Sequence, residues 1–84
     1  MIQASEIEGQ LVAFLKREVF APQLALTAET DLIASGFDSM SLVRLLLFIE
    51  KTYGLWIPEG EITGTALSNA RALAATVSRL LHER

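Results

Sequence analysis

The chain has 84 residues, 51% of them hydrophobic, with no cysteine and one histidine. That is one small domain with a single core, and disorder is not expected. The net charge of −3, from 10 acidic and 7 basic residues, argues against a nucleic-acid partner, which would require a basic surface against the phosphates. Without cysteine there are no disulfides and no thiolate metal sites, so any thiol chemistry must come from an added group. The N-terminus lacks the basic start and apolar run of a signal peptide. Apolar runs such as Leu45 to Ile49 are far too short to span a bilayer. A cytoplasmic location without membrane insertion is therefore expected.

Ser5 followed by Glu8 matches a capping box, and Ile7, Leu11, Phe14 and Leu15 then recur at helical spacing. A first helix is predicted over residues 5–19, closed off by Pro22. Residues 21–37 read as a long connection interrupted by Pro22 and Gly36, with Leu24, Leu26, Leu32, Ile33 and Phe37 as candidates to pin it to the core. A connection of that length in so small a domain is expected to be functional or ordered by its own side chains. A second helix is predicted from Asp38 to Tyr53, with Asp38 or Ser39 as N-cap and Gly54 as its stop. Its core stripe is Leu42, Leu45, Leu46, Ile49 and Tyr53. Pro58, Gly60 and Gly64 allow at most a short helix over residues 59–67. Ser68 is the predicted N-cap of a last helix over residues 69–82, whose core stripe is Ala70, Leu73, Ala74, Val77, Leu80 and Leu81. No segment alternates with period two. The predicted fold is all-α: a small antiparallel bundle of three long helices and one short one, in a single domain over residues 1–84. Met1 and the clean ends favour a free-standing protein, expected as a monomer.

The junction Gly36-Phe37-Asp38-Ser39-Met40 places one serine where a polar loop turns into an apolar helix. Three readings compete. Ser39 is a favoured residue for an N-cap without further role. As a nucleophile it would need a base and an orienting group. The chain offers one histidine, the near-terminal His82, and two aspartates, Asp31 and Asp38, and the glycines of a nucleophile elbow are missing. As an attachment point, its hydroxyl would be exposed and fixed, beside a helix start that favours an anionic group such as a phosphodiester.

Residues 30–58 resemble the acyl carrier proteins. Gly36, Asp38, Ser39 and Met40 fill that family's Gly-x-Asp-Ser-Leu/Met core, Thr30-Asp31-Leu32 its lead-in, Tyr53 its aromatic near the helix end, and Ile57-Pro58 the close of its apolar segment. The resemblance implies a four-helix carrier fold. It implies that Ser39 carries 4′-phosphopantetheine, moved there from coenzyme A by a phosphopantetheinyl transferase that Asp38 helps to recruit. The arm's thiol would hold an acyl or aminoacyl group as a thioester between a loading ligase and downstream synthase or transferase enzymes, the carrier itself not being an enzyme.

The chain also departs from that family. Fatty-acid carriers usually have a strongly acidic second helix, whereas this one has only Asp38 and Glu50 as acids, and Arg44 and Lys51 stand in commonly acidic places. A second stripe, Met40, Val43 and Leu47, runs beside the core stripe. It is either packed under the loop of residues 21–37 or, with Arg44, a docking patch for partners. Asp38-Ser39-Met40 and the stretch from Pro58 to Ala70 look more like D-alanyl and other stand-alone aminoacyl carriers, while Phe37-Asp38-Ser39 resembles polyketide carrier domains. The expected function is a stand-alone carrier of secondary metabolism or a specialised aminoacyl pathway. The alternative is a helical interaction module without a prosthetic group.

Overall fold

In a computed structural model, which describes residues 2–83, three α-helices hold one core. They are α1 (Ala4–Glu18), α2 (Ser39–Tyr53) and α3 (Ala70–Glu83). Among the described residues there is no strand, and the expected fourth helix is a single 3-10 turn, Glu59–Glu61. Pro58 before this turn and Gly60 within it limit its length: Glu61 and Ile62 donate back to the carbonyls of Pro58 and Glu59, and helical bonding then ceases.

The buried side chains follow the helical period. α1 contributes Ile7, Leu11, Phe14 and Leu15; α2 contributes Leu45 and Ile49; α3 contributes Ala70, Leu73, Ala74, Val77 and Leu81. Leu42, Leu46, Tyr53 and Leu80, also placed on core stripes by sequence, are half-buried at the margin. α1 and α3 make the closest helix pair, which the small side chains of Ala70 and Ala74 allow. α2 packs through larger groups: Phe48 stacks on Phe14 with ring centroids 4.3 Å apart.

Two predicted caps are corrected. α1 starts at Ala4, and the Gln3 carbonyl accepts from Glu6 and Ile7 N–H. Ser5 therefore lies inside the first turn, and Glu8 faces Arg71 of α3 at 3.6 Å instead of closing a capping box. At α3 the cap is Asn69, whose Oδ1 accepts from Ala72 N–H at 2.8 Å. Ser68 is already engaged, its hydroxyl donating to the Thr65 carbonyl and its own carbonyl accepting from Leu32 N–H.

That last bond is one of two backbone hydrogen bonds that tie the long connection to the start of α3, beside an ion pair between Arg71 and Glu29. Leu32 N–H reaches Ser68, and Arg71 N–H reaches the Ala28 carbonyl. Leu26 and Leu32 are buried, Leu24 and Phe37 half-buried, so four of the five apolar residues pin the loop as predicted. Ile33 does not: it is 56% exposed. Short-range bonds order the rest. Thr30 Oγ1 accepts from Thr27 N–H, and Asp31 Oδ1 from Ala34 N–H. No helix among the described residues is long and apolar enough to cross a membrane.

Candidate functional site

The turn before α2 positions the serine. Ser35 N–H bonds to the Asp31 carbonyl, Phe37 N–H to the Leu32 carbonyl, and Gly36 takes φ 103°, a backbone conformation that side-chain-bearing residues rarely adopt. The chain then enters α2 through Asp38, extended at φ −118° and ψ −173°. Asp38 Oδ1 accepts from Ser41 N–H at 2.8 Å and from Ser41 Oγ at 2.9 Å, and its carbonyl takes the first helical bond, from Leu42 N–H at 3.0 Å. Asp38 is thus the N-cap, and Ser39 is the first helical residue. The two Ser41 bonds, the backbone one first, hold the Asp38 carboxyl below its ordinary value, so it stays charged.

This removes one of the three readings of Ser39, that of the N-cap. With the cap supplied by Asp38, the Ser39 hydroxyl is exposed and has no hydrogen-bond partner among the described residues. It borders an open apolar hollow of about 220 Å³ walled by Ile33, Phe37, Leu42 and Leu67. Ile33 is the loop residue that sequence reasoning misassigned: two adjacent apolar residues in a turn give no local sign of which one is buried, and here Leu32 is while Ile33 turns outward beside the serine.

The stripe along α2 is on the surface. Met40 is 64% exposed, Val43 50% and Leu47 53%. The loop of residues 21–37 therefore does not cover them. Met40 adjoins Ser39 in sequence, and Val43 and Leu47 continue at i+3 and i+7 from it, so the three form a row leading away from the serine along α2. Arg44 is exposed too, but it is anchored: Nη1 donates to the Glu18 carbonyl at 3.0 Å, serving the C-terminus of α1. His82 lies in the last turn of α3 with Nδ1 against the Ser78 carbonyl at 2.6 Å. Because a carbonyl only accepts, that nitrogen carries the hydrogen.

The family model described as "Phosphopantetheine attachment site" matches residues 9–77. This chain belongs to that carrier family. The carrier is also similar to a nonribosomal peptide synthetase, NPS2 of Ceriporiopsis subvermispora (strain B), with 37% identity over 60 residues. Those residues make up 71% of this chain but 2% of the relative, so the carrier spans a small fraction of the protein it matches. Carriers of this family are where 4′-phosphopantetheine is covalently attached, and the site's residues fit such a group. The site has a serine hydroxyl that is exposed and uncommitted, at a helix N-terminus suited to an anionic phosphodiester, next to an apolar hollow.

Proposed function

We propose that Ser39 is the attachment residue and that the chain carries aminoacyl or peptidyl groups between partner enzymes without catalysing a reaction itself. When bound, the prosthetic group supplies a terminal thiol that holds the cargo as a thioester. The protein's own residues do the rest. Asp38 caps α2 and keeps the serine oxygen at a fixed place, its second carboxylate oxygen remaining available to the transferase. The stiff start of α2 presents Ser39 outward. Met40, Val43 and Leu47, with Arg44 beside them, form the face that partners read. The observation that carries this reading is the uncommitted Ser39 hydroxyl beside a capping Asp38.

The likeness to a peptide synthetase supports an amino- or peptide-linked cargo over a fatty acyl one, as does the small acidic content of α2. All three helices share one core within this chain. That supports a single carrier domain over residues 1–84. The proposed partners are a phosphopantetheinyl transferase, a loading ligase and a downstream synthase or transferase, with the carrier as a cytoplasmic monomer acting on separate enzymes.

The test is the intact mass of the purified chain after incubation with coenzyme A and a broad-specificity phosphopantetheinyl transferase, with a known carrier as positive control. One phosphopantetheine added to the wild type and none to Ser39→Ala is the expected result. No mass gain while the control is loaded would sink the assignment and leave a plain interaction module.

A further inference from the structure

One groove in this acidic protein has the opposite charge. It lies between the end of α1 and the second half of α2, is open to solvent, and measures about 350 Å³. Its apolar part is the stacked pair Phe14 and Phe48 together with exposed Leu47. Its polar part holds three cations, Arg17, Arg44 and Lys51, against one acid, Glu18. The Glu18 carboxylate is already matched by Arg17 Nε at 3.0 Å, and the Glu18 carbonyl by Arg44. Arg44 keeps the remaining N–H donors of its guanidinium unbonded among the described residues. Lys51 has no ion pair or hydrogen bond among them. The groove is therefore a cationic rim around an apolar floor, with positive charge in excess, on a chain of net charge −3.

We propose that this groove docks an acidic segment of a partner protein that carries an apolar or aromatic side chain. The segment's carboxylates meet Arg17, Arg44 and Lys51, and its apolar side chain lies on Phe14, Leu47 and Phe48. Charge complementarity picks this occupant. A cationic rim attracts carboxylates and repels basic segments, and a floor of rings and leucine favours a side chain that leaves water. A nucleic-acid strand would need a longer basic track than three side chains around one pocket. The proposal rests on the partner-face reading of α2, with which it shares Arg44 and Leu47. It adds that the face continues across α1 and that its electrostatic sense is protein-positive, partner-negative.

The test is an NMR titration of the 15N-labelled full chain with a hexapeptide of alternating glutamate and phenylalanine. The same peptide with lysine for glutamate is the control. Saturable shifts are expected for the backbone amides of Arg17, Glu18, Leu47, Phe48 and Lys51 with the acidic peptide and not with the basic one. Binding is expected to weaken as salt rises towards about 0.5 M. Arg17→Glu with Lys51→Glu, both exposed positions, is expected to weaken it at least about tenfold while the circular dichroism spectrum and Tm stay unchanged. Shifts scattered over the surface, equal shifts with the basic peptide, or no effect of the charge reversal would overturn the proposal. Phosphopantetheine loading of the wild-type chain, measured beside its own peptide titration, separates the two readings. Normal loading without peptide binding sinks the groove alone, whereas peptide binding by a chain that cannot be loaded sinks the carrier assignment and leaves the groove standing.

Discussion

Asp38 Oδ1 accepts both the backbone N–H and the hydroxyl of Ser41, at 2.8 and 2.9 Å. One carboxylate oxygen thereby closes the start of α2 and removes any need for Ser39 to cap it. Because these bonds are made to the charged form, the carboxyl has a lower pKa folded than unfolded. Such a group stabilises the fold above its ordinary value of 3.8 and loses that contribution as pH falls through the lowered one. Amide hydrogen exchange at Ser41 should therefore stay protected down to the ordinary carboxylate range and quicken below it. Asp38→Asn should keep the cap and lose this pH dependence; Asp38→Ala should lose both and lower Tm by a few degrees.

Ser39→Ala should leave folding untouched, because its hydroxyl has no bond to lose among the described residues. A thermal melt within about 0.5 kcal/mol of wild type, together with complete loss of loading, is the expected pair of results. A large drop in Tm would mean that the hydroxyl helps to hold α2 after all.

Leu45 and Leu47 stand two positions apart on α2 with opposite fates, one fully buried and the other 53% exposed. Leu45→Ala should destabilise by about 2–5 kcal/mol through the cavity it leaves. Leu47→Ala should stay within about 0.5 kcal/mol. Urea denaturation of both variants checks this.

Val43→Asp and Leu47→Asp should fold and take up phosphopantetheine normally but fail to receive cargo from the loading enzyme. A charge on an exposed row harms docking rather than packing. Unfolding of either variant would show that the row is part of the core.

Gly36→Ala should cost about 1–3 kcal/mol, although nothing lies within 4 Å of the added methyl. The cost comes from φ 103° alone. Chemical denaturation measures it, and a neutral effect would mean that the turn before α2 can take another path.

The helices were legible in the chain because the periods of Ile7–Leu11–Phe14–Leu15, Leu45–Ile49 and Leu73–Val77–Leu81 record which side each helix buries. The motif shared with carrier proteins was legible because its residues are contiguous, and the family comparison bears out the carrier assignment. The caps were not. Ser5, Ser68 and Asn69 are all competent cap residues, and local sequence does not say that Glu8 faces Arg71 or that Ser68 bonds to Thr65.

By itself, then, the sequence determined an all-helical chain with a serine at a helix start, through its periodicity, and a resemblance to carrier proteins, through a contiguous motif. Only the tertiary structure decided what that serine and its neighbours are free to do. Asp38 takes the cap, Ile33 turns outward while Leu32 is buried, and Met40, Val43 and Leu47 stay uncovered. Arg44 reaches from α2 to the end of α1. These outcomes depend on partners distant in the chain or on which neighbour wins a shared donor, and neither is written in local spacing.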